Sequence, residues 1–114
     1  MIKVKIHKND TRRWLRLRVI GHAGQAEIGQ DIVCASASIL TYTMAQIIKD
    51  MGETGRLENK LIRLKEGYAT ITCVCKDYEA YYEALSALNV AQVGYSLLAH
   101  NYPQYVELQT VIKA

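Results

Sequence analysis

The chain has 114 residues, half of them apolar, 22% charged and only one a proline, which excludes a disordered or collagen-like polymer and is sized for a single domain over 1–114 around one core. Fourteen Lys and Arg against 11 acids leave a formal charge of +3, an excess that permits an acidic partner without requiring one. No run approaches the roughly 18 apolar residues of a bilayer span, and the alternating N-terminus lacks the apolar block of a secretion signal, so a cytoplasmic protein without a membrane partner is expected.

Residues 2 to 7 set Ile2, Val4 and Ile6 against Lys3, Lys5 and His7, and residues 14 to 20 set Leu15, Leu17 and Val19 against Trp14, Arg16 and Arg18. Both read as strands with one buried face, joined into a hairpin by the turn chemistry of Asn9, Asp10 and Thr11. From Gly21 to Gln30 the periodicity vanishes, and Gly21, Gly24 and Gly29 all fall in this stretch, so a mobile loop is expected over about 21–30. Asp31 then reads as an N-cap, and Val33, Ala37, Leu40, Met44, Ile47 or Ile48, and Met51 recur at helical spacing until Gly52 and Gly55. Strands over 60–65 and 68–75 form a second hairpin around Glu66 and Gly67.

A second helix starts near Asp77, with Tyr78, Tyr81 or Tyr82, Leu85, Leu88, Tyr95, Leu98 and Tyr102 on one side, and Pro103 ends it. A last strand runs from Tyr105 to about Ile112. The order ββα-ββα-β predicts an α+β fold, a two-layer sandwich of a mainly antiparallel sheet and two helices.

Three cysteines, two of them at Cys73 and Cys75 on one strand face, make a disulfide framework improbable and favour a reducing compartment. The pair lacks the partner loop of a structural zinc site and reads as buried apolar sulfur. Cys34 differs. As the third residue of a helix capped by Asp31, it would sit where unpaired N–H groups and the positive end of the helix dipole favour a thiolate. At 100° per residue, Asp31, Cys34 and Ser38 would lie within about 60° of one another, away from the core stripe. His22, on the entry side of the loop, could serve such a nucleophile as base, and nearby backbone N–H groups could receive an oxyanion. On spacing alone, a packing cysteine and a strand-end histidine are the competing reading.

The run Gly21-His22-Ala23, then Ala26, Gly29, Asp31-Ile32-Val33-Cys34-Ala35 and Ser38, closely resembles the signature of the ribosomal-processing cysteine proteases, the Prp family. Gly94 and Tyr102-Pro103-x-Tyr105-Val106 match its later features, while Ala37 stands where the family pattern carries a larger aliphatic residue. The resemblance implies a homodimeric cytosolic endopeptidase that removes the N-terminal extension of a large-subunit ribosomal protein, number twenty-seven, in support of ribosome assembly. It implies Cys34 as nucleophile, His22 as general base, Asp31 and Ser38 as supporting residues, and the segment holding Gly21, Gly24 and Gly29 as a substrate gate, with no metal and no organic cofactor. Asp31 keeps two readings, helix cap and orienter of the histidine.

A rival reading is a non-catalytic ribosome or RNA-binding module using Arg12, Arg13, Arg16 and Arg18 around Trp14. A second is the same protease acting on another precursor. His7 and His100, at element ends, read as solvated, and the eight tyrosines as core and dimer surface more than as a substrate groove.

Overall fold

The computed structural model describes the backbone of residues 1–21 and 28–113 and the side chains of 1–21 and 32–112. Its elements run β1 (Ile2–Asn9), β2 (Trp14–Ile20), α1 (Ile28–Glu53), β3 (Leu57–Lys65), β4 (Tyr68–Cys75), α2 (Tyr78–Asn101) and β5 (Val106–Lys113). The order is the expected ββα-ββα-β. Alternating apolar residues make the two hairpins, and α1 and α2 carry the chain back across the sheet between them.

The sheet order is β3-β4-β2-β1-β5. Every neighbouring pair is antiparallel except β1 and β5, which run parallel, with Val4 opposite Leu108. A parallel neighbour needs a crossover, and α2 supplies it. Register puts Ile6, Leu17 and Ile71 in one row and Leu15 opposite Cys73, so one sheet face is continuously apolar. Both helices cover that face. The core joins Val4, Ile6, Leu17, Ile71 and Cys73 to Val33, Ile48, Tyr81, Leu88 and Tyr95.

The helices depart from expectation in two ways. On α2 the buried residues are Ala80, Tyr81, Ala84, Leu88, Ala91, Tyr95 and Leu98, whereas Tyr78 and Tyr82 are exposed. Alanine is what lets a helix lie close to a sheet, so Tyr81 and Tyr95 reach the core while Tyr78 and Tyr82 are left for the rim. The start of α2 follows the sequence: the Asp77 side chain accepts from the Ala80 N–H at 2.8 Å.

The other departure concerns α1. It begins at Ile28, three residues before Asp31, so Gly29 and Gln30 are helical and Asp31 lies in the first turn instead of capping it. A glycine is tolerated there because the leading N–H groups have no intrahelical partner to lose, and a carboxylate in that turn still meets the positive end of the dipole. Over Ile32–Glu53 α1 is also long and apolar enough, by length and composition, to cross a membrane, although no such run was expected. Its stripe of Val33, Ala37, Met44, Ala45, Ile48 and Met51 is buried in the fold.

Turns fix the hairpin ends. Gly67 takes φ 73° between β3 and β4, and Arg13 takes φ 54° between β1 and β2. The strained arginine is held by structure: its Nε donates to the Cys75 carbonyl at 2.9 Å, and its guanidinium pairs with Glu58 at 3.4 Å and lies 5.5 Å from the centre of the Tyr78 ring. The same turn is tied to α2 by the Tyr81 hydroxyl, which donates to Asp10 at 2.5 Å.

Candidate active site

Helical spacing carries one stripe of α1 away from the core centre and onto a cleft. Cys34, Ala37, Ser38, Thr41 and Tyr42 follow the i, i+3, i+4, i+7, i+8 pattern and all line it. The opposite wall is the turn of the β3–β4 hairpin, Leu64 to Ala69, and Val19 and Gly21 at the end of β2 close one side. The space is about 380 Å³, within the range of small-ligand pockets and enough for a few residues of an extended peptide.

Gly21 is fixed in place. Its N–H donates to the Gly67 carbonyl at 2.9 Å, its φ is 91°, and a Cβ there would overlap the Met1 carbonyl oxygen. Among the three glycines expected in a mobile loop, Gly21 therefore anchors the cleft wall and Gly29 belongs to α1. Gly24 lies outside the described residues, as does His22.

Cys34 is half-buried and not in a disulfide. Counted from Ile28 it is the seventh helical residue, not the third. The leading unpaired N–H groups of α1 belong to residues 28–31, and the Cys34 N–H lies within the hydrogen-bonded helix. The nearby backbone N–H groups expected as oxyanion donors are therefore those of residues 28–31, one turn or more before Cys34. The structure brings Ser38 and Cys34 together on the cleft, one turn apart, while Asp31 is placed only by its backbone, one turn before Cys34.

Below the cleft, the Thr41 hydroxyl donates to the Ala37 carbonyl at 2.7 Å and lies 2.7 Å from the Tyr95 hydroxyl. Since Thr41 has one proton and gives it to Ala37, Tyr95 donates to Thr41. This polar contact joins α1 to α2 under the site. Burial pushes the Tyr95 phenol up to about 12, so it stays a neutral donor. Cys73 and Cys75 face the core on β4, both fully buried. A hydrogen bond to Cys75, and burial after it, push the Cys73 thiol up, which keeps it protonated.

Thr41 and Tyr42 are site residues that the sequence reading missed, although the Cys34 stripe continued two turns on points to them. The hairpin wall was not legible, since nothing local in Leu64 to Ala69 signals which helix it will face.

The family model described as cysteine protease Prp matches residues 1–107 of the chain. Among solved structures, the essential ribosomal processing protease Prp from S. aureus in complex with a covalently linked product peptide is similar with a TM-score of 0.71 and 26% identity, over 96% of this chain and 99% of that one. The same protein in complex with a substrate peptide gives a TM-score of 0.70 at 26% identity, with 96% and 99% covered. SMU.848 from Streptococcus mutans shares the fold at a TM-score of 0.70 and 20% identity, over 99% of this chain and 96% of that one. No curated protein matches the chain.

Proposed function

The chain belongs to the cysteine protease Prp family, and from that premise we propose that it is an endopeptidase that uses Cys34 as nucleophile and His22 as general base. The observation that carries the reading is the position of Cys34: it is the one cysteine on the cleft, with Cys73 and Cys75 both in the core. The S. aureus relative in complex with a covalently linked product peptide supports it, because covalent attachment is the work of a nucleophile.

In the reaction, the Cys34 Sγ attacks the scissile carbonyl carbon and His22 takes the thiol proton. His22 then passes that proton to the leaving amine as the C–N bond breaks. Water, with His22 again as base, hydrolyses the thioester and restores the thiol. The leading N–H groups of α1, one turn before Cys34, are donors for the oxyanion. Asp31, no longer needed as a cap, is free for the orienting role, and Ser38 flanks the thiol. The segment between Gly21 and α1 acts as the gate. No metal or organic cofactor enters these steps.

The substrate is a cytoplasmic ribosomal protein precursor, and its N-terminal extension on the large-subunit protein number twenty-seven is the specific target. The enzyme works as a homodimer.

The test is cleavage of a peptide spanning that extension junction, read by mass spectrometry. Wild type should give one cut, Cys34→Ala none, and His22→Ala a rate lower by about 10²–10⁴-fold. Rapid alkylation of Cys34 without any cut would move the substrate to another precursor. Slow alkylation and no cut would overturn the catalytic reading.

A further inference from the structure

Among the described residues no element covers the sheet face opposite the helices, and strand register gathers positive charge on it. Lys5 is opposite Arg18, Arg18 is opposite Thr70, and Thr70 is opposite Arg63. At about 4.8 Å between strands this row crosses some 14 Å of sheet. Lys3 lies two residues from Lys5 on the same face and Arg16 two from Arg18. Among the described residues, none of these five cations is in an ion pair. One acid shares the face, Glu107 on edge strand β5 opposite Lys3, at the end away from the Arg18–Arg63 part of the row, while Asp50 and Glu53 lie on α1 and Glu79 and Glu83 on α2. A formal charge of +3 thus understates the field of this face.

Like charges directly opposite one another in an antiparallel pair work against the fold. Lys5 against Arg18 is such a pair on two inner strands, so an anion is what would relieve it. Beside the row, Trp14 is half-buried with the Arg16 guanidinium 4.8 Å from its ring centre. A flat stack of guanidinium and indole, next to a line of cations at strand spacing, matches unpaired bases on a phosphate backbone. Arg13 does not belong to it, being engaged with Glu58 and the Cys75 carbonyl.

We propose that this open sheet face binds single-stranded RNA, with Lys5, Arg18 and Arg63 on phosphates and the Trp14–Arg16 stack under a base. The site is on the reverse of the sheet from the Cys34 cleft, so RNA and a peptide can be held together. The inference does not rest on the proposed reaction.

The test is fluorescence anisotropy of a labelled, unstructured RNA 12-mer, titrated with the full chain at about 50 and 200 mM salt. Three to five phosphate contacts predict a slope of about −2 to −3.5 in log K against log salt. The Lys5→Gln, Arg18→Gln double variant should bind at least about 10-fold more weakly, with a slope flatter by about 1.4. Arg63→Gln, on the exposed edge strand, should show a smaller loss in the same direction. A control with the same charge change on exposed residues elsewhere, Lys49→Gln with Lys76→Gln, should stay within about 2-fold. Peptide cleavage by the double variant should match wild type. Equal losses in the double variant and the control would overturn the site, as would no binding at about 50 mM salt with protein near 10⁻⁴ M. Binding to phosphatidylserine vesicles but not to RNA would overturn it in favour of an anionic surface.

Discussion

Tyr95 shows what a single buried polar side chain does at this site. Its ring is fully buried, and among the described residues its hydroxyl is satisfied by Thr41, whose own proton goes to Ala37. In the unfolded chain a tyrosine releases its proton near pH 10, whereas here burial holds it to about 12. Between those values the unfolded state binds fewer protons than the native one. Stability contributed by Tyr95 is therefore intact below pH 10 and falls as pH rises above it, by up to about 1.4 kcal/mol per unit. Tyr95→Phe should cost about 1 kcal/mol at neutral pH for the lost hydrogen bond and should flatten the alkaline decline. Urea melts of both proteins from pH 8 to 11.5 check this, and identical alkaline slopes would refute it. At this scale the sequence was informative about Cys34, Ser38 and the cysteines of β4. It said little about Thr41 or the role of Gly21, because both depend on a distant partner: Tyr95 lies on the other helix, and Met1 and Gly67 come from the chain start and a later hairpin.

Among the elements, the two hairpins and the two helices follow from periodicity and turn residues, and Asp77 caps α2 as its position predicts. The start of α1 does not, because its first turn offers a single apolar residue, Ile28, beside Gly29, Gln30 and Asp31, which read as loop and cap. The inner face of α2 was also hidden, since alanines contribute little hydropathy while deciding how close a helix can come. Gly94 makes the same point between the helices. A Cβ at position 94 would stand 2.7 and 2.8 Å from the two Cδ atoms of Leu40 on α1. In an open helix Gly94→Ala should stabilise by about 1 kcal/mol. Here that gain should be absent or reversed, because Leu40 must move, and it should reappear in a Leu40→Ala background. A double-mutant cycle by chemical denaturation measures the coupling, expected at about 1 kcal/mol or more. Additive single changes would mean that the helices do not meet at Gly94.

Over the whole molecule, strand order was beyond the reach of sequence, because the parallel β1–β5 pairing joins residues about a hundred positions apart and no local pattern marks it. Charge distribution was equally invisible until register was known. It bears on the substrate: a basic precursor would be repelled by a uniformly positive protein, yet Lys3, Lys5, Arg16, Arg18 and Arg63 share the open sheet face, and the cleft turn carries both Lys65 and Glu66. Edge strand β3 carries Glu58, Lys60, Arg63 and Lys65, which discourage sheet-to-sheet pairing. The outer helix surface, by contrast, exposes apolar side chains suited to self-association. There Ile39 is 63% exposed, Val90 73% and Val93 62%, around an apolar groove of about 260 Å³ between α1 and α2.

If the proposed homodimer forms through this exposed apolar face, a stable contact buries about 1,200–2,000 Å² in total. In a twofold dimer each substitution enters the contact twice. Val90→Glu therefore places two carboxylates in an apolar seam and should raise the dimer dissociation constant by at least about 100-fold. Val90→Ala should do much less. Sedimentation across a range of concentrations reads both, and thermal midpoints should rise with concentration for wild type only. A wild type that sediments as a monomer at about 100 μM, well above the dissociation constants expected of such an interface, would show that the exposed helix face serves some other contact.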